Sequence, residues 1–320
     1  MRVVSLLPSA TELLCFVGGA AALVGRSHEC DYPRGIEGIP VLTARATPPG
    51  AEGEGPAAID RVVREQLSGG SSLYTLNAGL LASLQPDLVL TQDLVCSIDL
   101  EAVWTVADGL NPRIVSLSPQ TVEDVLDDCL TVGEAAGLGN EARRAVVGLR
   151  DRLFRAAEYV NPYIEGPRIA FLDWTDPLYV GGHWTPQLIE RAGGRHPLNP
   201  TVAVEGSGAA VGPQQAMRRA GPSRRVSVEE LVVSRPEVLI VSPCGVGLAG
   251  VREMARELAR QPWWAELPAV RAGRVALVDG NPYFNRPGPR LVEAFEWLVG
   301  WLNDRPGVVP VGFAWESIGR

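Results

Sequence analysis

Five residues able to hold a metal or act as nucleophiles lie in stretches with loop character: His28, Cys30, Cys96, His183 and Cys244. Imidazoles and thiolates suit zinc and other transition metals, and a thiolate beside an imidazole is also a nucleophile. None has the spacing of a preformed motif, since the chain holds no Cys-x-x-Cys and no His-Glu-x-x-His. A metal centre made from His28, Cys30, Cys96 and Cys244 would have to assemble from separate loops. So would a nucleophile in which His28 or His183 activates Cys30 or Cys244. Cys15 and Cys129 fall on apolar helix faces and read as core. No catalytic residue can be assigned.

A second chemistry is adhesive. Aromatic residues make up 6% of the chain, yet Trp174, Tyr179, Trp184, Tyr283 and Phe284 all fall in segments that follow strands. Flat, stiff rings suit a large planar apolar ligand, with a few polar groups to orient it. The polar candidates are His28, Glu29, Cys30 and Tyr32, then Gln92 and Asp93, then His183, Asn285 and Arg286. Arg286 and Arg290 flank a proline-bearing helix start, where cations oppose the helix dipole unless a carboxylate or an anionic ligand offsets them.

Two patterns are decoys. Gly245-Val246-Gly247-Leu248-Ala249-Gly250 has the dinucleotide spacing but comes late in the chain, and no acid ends a strand about 20 residues on. Gly206-Ser207-Gly208 lacks the strand–turn–helix setting of a nucleophile elbow.

The elements that must position these residues are short β-branched runs alternating with helical periods, the grammar of βα units. Strands are expected at 2–6, 23–25, 87–91, 113–117, 168–172, 178–181, 238–242 and 275–278. Ligands bind beyond the carboxyl ends of such strands, where the aromatic, thiol and imidazole residues gather. Ser9 and Glu12 form a capping box for the first helix. Thr121 opens another helix, with apolar residues at 122, 125, 126, 129, 130 and 132. Asn140 caps the next, whose roughly 20 residues at about 1.5 Å each make a rod of ~30 Å that could join two domains. The fold class is therefore α/β: two Rossmann-like lobes with mostly parallel sheets, joined by a single long helix, with a ligand cleft between them. The expected divisions are a lobe over 1–139, a linking helix over 140–160, a lobe over 161–304 and a tail over 305–320. Within the second lobe, 195–225 is rich in glycine, proline and arginine and reads as a flexible insertion. Phe313 and Trp315 in the tail imply that it docks on the body.

The chain's 320 residues, 46% of them hydrophobic, can bury a core in each lobe. A net charge of −8 argues against nucleic acid as partner. The longest apolar stretch, 13–24, is broken by two glycines and falls short of the ~20 residues that span a bilayer. Met1-Arg2 runs straight into the first strand, so no signal peptide is read and the expected setting is cytoplasmic, with its five cysteines as thiols.

Several segments resemble one family. Ser5-Leu6-Leu7-Pro8-Ser9-Ala10-Thr11-Glu12 is similar to the opening of solute-binding proteins for cobalamin and iron–siderophore complexes of ABC transporters. Ser27 to Pro33, Thr91 to Leu94, Pro243-Cys244-Gly245 and Gly280 to Arg290 resemble its cobalamin-binding branch. The match runs over about residues 1–304. It implies two lobes on a rigid helix and non-catalytic binding of a corrinoid or another metal-containing macrocycle, so cobalamin would be the ligand. It further implies an ABC transporter permease as partner. The alternative is an intracellular enzyme that reuses the cleft with a Cys/His metal or thiol centre acting on a small molecule.

Overall fold

The computed structural model describes residues 1–46, 55–68, 72–92, 111–206, 212 and 218–318. The chain divides into two compact units, residues 1–119 with 124–149, and residues 120–123 with 150–320.

In the first unit, β1 (Val3–Ser5), β2 (Leu23–Arg26), β3 (Thr43–Arg45), β4 (Tyr74–Leu76), β5 (Leu88–Gln92) and β6 (Arg113–Leu117) form two sheets. The larger has the order β2-β1-β5-β6 and is parallel throughout. A small antiparallel ribbon pairs β3 with β4. Val3, Val4, Leu88, Val89 and Leu90 are buried, as strands covered on both faces require.

Among the described residues the helices are α1 (Pro8–Phe16), α2 (Pro56–Ser68), α3 (Ala78–Leu84), α4 (Val122–Ala135), whose first two residues count with the second unit, and α5 (Gly139–Ala157), which passes into the second unit at residue 150. The capping box is not formed. Pro8 occupies the first helical turn, Leu7 is the cap residue without a side-chain bond, and Ser9 and Glu12 are buried within the helix. Proline's fixed φ starts the helix one residue before the serine could cap it. Likewise α5 begins at Gly139, and Asn140 lies inside its first turn, accepting a hydrogen bond from Arg143.

The second unit is built on β7 (Ile169–Thr175), β8 (Leu178–Val180), β9 (Val202–Ala203), β10 (Arg218–Arg219), β11 (Arg224–Arg225), β12 (Val238–Val241), β13 (Val275–Val278) and β14 (Trp315–Ile318). Its main sheet has the order β11-β8-β7-β12-β13-β14. The centre, β7-β12-β13, is parallel, and antiparallel strands finish both edges. The tail docks as expected: β14 pairs with β13, and Phe313 is buried against Trp297 at 5.2 Å.

The helices here are α6 (Trp184–Arg191), α7 (Val228–Val233), α8 (Leu248–Ala259), α9 (Pro268–Arg271), α10 (Gly280–Tyr283) and α11 (Leu291–Leu302). The described part of 195–225 is not loose. His196 is buried with Nδ1 2.9 Å from the Ile169 carbonyl, β9 pairs with β10, and β11 joins β8. Buried Glu190 on α6 accepts hydrogen bonds from the Thr201 N–H and hydroxyl, and Arg218 donates to Thr201 at 2.7 Å. A buried carboxylate must be paired, and that need holds the segment down.

Candidate functional site

In the first unit, the chain leaves β2 through Ser27 and His28. The Thr43 hydroxyl, brought up by β3, donates to Ser27 Oγ at 3.3 Å and accepts from the His28 backbone N–H at 3.0 Å. His28 Nδ1 lies 2.6 Å from the same oxygen. With its proton committed to Ser27, the Thr43 oxygen accepts from Nδ1–H, which leaves the lone pair on Nε2. That nitrogen is buried with no hydrogen-bond partner, and the Glu29 carboxylate stands 3.9 Å away. Burial holds the His28 pKa below the usual value, with Glu29 opposing and Arg45 reinforcing the shift.

Cys30 is not on the surface of its loop: it is buried, with Sγ 3.1 Å from Thr11 Oγ1. Tyr32 is exposed, and Gln92, at the end of β5, is half-buried. Asp93 and Cys96 lie outside the described residues.

In the second unit, the register between β7 and β8 shifts at Asp173, a bulge that places Trp174 directly across from Tyr179. Directly opposed residues share one face of a ladder, so these two half-buried side chains sit together at the carboxyl edge of β7. Trp174 is tied at its polar end, its Nε1–H donating to the Asp176 carbonyl at 3.0 Å.

Asp173 accepts a hydrogen bond from the Ser223 hydroxyl through Oδ2, while its Oδ1 is buried without a partner. Burial pushes its pKa up to about 6, against the opposing hydrogen bond from Ser223. An unfolded aspartate titrates near 3.9, so between those values the folded state holds the extra proton. The associated stability is complete below about pH 4 and is lost as pH rises through about 6. Asp173→Asn keeps the oxygen that Ser223 donates to. It is expected to flatten that loss and to be about 1–2 kcal/mol more stable than wild type at pH 7, with a correspondingly higher melting temperature. Melting curves at pH 4 and pH 7 read this directly, and equal pH dependence in both proteins refutes it. Asp128 on α4, raised to about 7 by burial and by Asp124 and Asp127, adds a slope of the same sign in either protein.

His183 stands at the turn from β8 into α6 with φ 53° and ψ −119°, a conformation glycine prefers. Such backbone costs about 1–3 kcal/mol and persists only where surroundings enforce it. Its N–H donates to the Gly221 carbonyl at 2.8 Å. Gly182 before it packs so closely that an added Cβ would stand 2.2 Å from the backbone of Pro222 and Ser223. The ring's Nδ1 is 2.8 Å from Gln120 Oε1. The chain just after Gln120 is fixed at the start of α4: the Val122 N–H donates to Gln187 Oε1 at 2.8 Å, and Gln187 and Arg191 each donate to Glu123 at 2.7 Å. Burial lowers the His183 pKa, favouring the neutral ring.

The other three aromatics expected on this edge are inside. Trp184 is buried, its indole N–H donating to the Phe284 carbonyl at 2.7 Å. Phe284 lies between Phe171 at 4.8 Å and Trp297 at 6.0 Å. Tyr283 stacks on Phe313 at 4.0 Å and is also buried. The loop after β13 coils into α10 and turns its rings inward. Asn285 donates to the Pro243 carbonyl at 3.3 Å, bracing this loop against the end of β12. Arg286 and Arg290 are half-buried before and at the start of α11, and Cys244 is exposed beyond β12.

Among the described residues, no group of three or more His, Cys, Asp or Glu is arranged to hold a metal ion. Cys30 belongs to the first unit and Cys244 to the second. Thr43, Gln120, Asp173 and Ser223 were not singled out from sequence. Asp173 alone carried a signal, as an acid ending a strand just before a tryptophan.

The periplasmic binding protein family profile matches residues 3–282. A vitamin B12-binding protein of Photorhabdus laumondii is 23% identical over 316 residues, covering 95% of this chain and 88% of the relative. An uncharacterised ABC transporter substrate-binding lipoprotein of Bacillus subtilis is 22% identical, over 93% of this chain and 78% of its own. A periplasmic heme-binding protein from Pseudomonas aeruginosa superposes with a TM-score of 0.67 at 18% identity, covering 100% of this chain and 98% of that one. These findings overturn the expected cytoplasmic setting, because the matching proteins are periplasmic or lipoproteins. That expectation rested on where the sequence starts, which is no measure of export. Among the described residues, no helix is long and apolar enough to cross a membrane.

Proposed function

The chain belongs to the periplasmic binding protein family, and on that premise we propose that it is the non-catalytic binding component for a corrinoid, which it delivers to the permease of an ABC transporter. The Trp174–Tyr179 pair carries the reading: two half-buried aromatic residues opposed across β7 and β8 supply apolar ring surface at the carboxyl edge of β7. Such a surface suits a macrocycle. The ligand contacts proposed with it are His183, Asn285 and Arg286 in the second unit, and His28, Glu29, Tyr32 and Gln92 in the first. The sequence relative that binds vitamin B12 favours a corrinoid over other planar ligands.

Calorimetric titration with cyanocobalamin is expected to give saturable 1:1 binding. Trp174→Ala and Tyr179→Ala should each weaken it about tenfold, the scale of one lost aromatic contact. Tight binding of haem with none of cobalamin would refute the corrinoid and leave the macrocycle reading standing.

A further inference from the structure

We infer that the Nε2 nitrogen of His183 is a ligand to the cobalt of the bound corrinoid; the inference rests on the binding function proposed above. A histidine that binds metal through one ring nitrogen has the other fixed by an outer partner, which sets both tautomer and ring orientation. His183 has that arrangement: Nδ1 faces Gln120 Oε1 at 2.8 Å, so Nδ1 carries the proton and Nε2 the lone pair. No hydrogen bond reaches Nε2 among the described residues, and the residue is half-buried, not sealed in the core.

The ring cannot easily turn away. The main chain is held in its glycine-like conformation by the bond from His183 N–H to the Gly221 carbonyl and by the contact of Gly182 with Pro222 and Ser223. Ser223 also holds Asp173, the residue before Trp174, so His183 belongs to the same loop junction as the aromatic pair. A neutral imidazole fixed at the loop junction that also holds the Trp174 strand end offers the type of ligand that a macrocycle's central metal takes. His28 is the weaker candidate, because its Nε2 is buried.

Coordination is an exchange of ligands. The bond from cobalt to one axial water breaks, the Nε2 lone pair forms the new bond, and the water leaves unchanged. Cobalt keeps its oxidation state and no proton moves.

The test uses aquocobinamide, which has no base of its own, and follows its visible bands during titration into the full chain. The wild-type protein should bind it with the band shift of imidazole in place of water. His183→Gly suits the local φ and so should fold. It is expected to bind about tenfold more weakly or worse, without the shift, and added imidazole should restore the shift. His183→Gln should fold, bind and also lack the shift. Binding to wild type without a shift, or a shift that survives in His183→Gly, overturns the inference while leaving the corrinoid reading intact. Absence of any saturable binding to wild type overturns both.

Discussion

Phe284→Ala is expected to lower the melting temperature by about 10 °C, the consequence of roughly 3–5 kcal/mol lost from a domain of this size. The ring is 2% exposed and packed edge-on against Phe171 and Trp297. It leads into an aromatic cluster that includes Trp301, Phe313 and Trp315. Truncation leaves a cavity that neither β7 nor α11 can close without moving the sheet. The protein that remains folded should still bind ligand, since the ring faces the core. Trp174→Ala should do the reverse, reducing affinity with little change in melting. Differential scanning calorimetry beside ligand titration separates the two. An unchanged melting temperature in Phe284→Ala would return this ring to the ligand surface.

Gly182→Ala is expected to disrupt stability and binding together. The new methyl would lie 2.2 Å from the backbone of Pro222 and Ser223 and 2.7 Å from the Gly221 carbonyl oxygen. Main-chain atoms on both sides must shift, which costs about 1–3 kcal/mol. The shift pulls Ser223 from Asp173 and Gly221 from the His183 N–H, contacts that set the edge of the aromatic surface. Denaturant unfolding should show the loss, and affinity should fall about tenfold or more. Wild-type values in both measurements would mean that residues 221–223 yield freely and do not shape the site.

Legibility in the sequence followed the range of the forces involved. Strands such as Val238–Val241 and Val275–Val278 are runs of apolar residues buried on both faces, and a local pattern suffices to announce them. The helix of residues 122–135 shows its buried stripe in the same way, and Phe313 and Trp315 announced the docked tail. Cap positions were less legible at Ser9 and Asn140, where a neighbouring proline or glycine moved the helix start by one residue.

The sequence by itself determined the α/β class and the strand ends at which polar and aromatic residues collect. It also carried the motifs of the binding-protein family. Only the tertiary structure decided which of those residues face outward. Trp174 and Tyr179 lie within β7 and β8, whereas the loop after β13 folds Tyr283 and Phe284 onto Phe313, Phe171 and Trp297, and the indole of Trp184 on α6 is tied to the Phe284 carbonyl. The same holds for the arginine-rich stretch, anchored by Glu190 on another element, and for His183, whose ring is set by Gln120 63 residues away. Periodicity reports burial that repeats along the chain, whereas a side chain's partner across a fold depends on contacts between distant segments, which leave no local pattern.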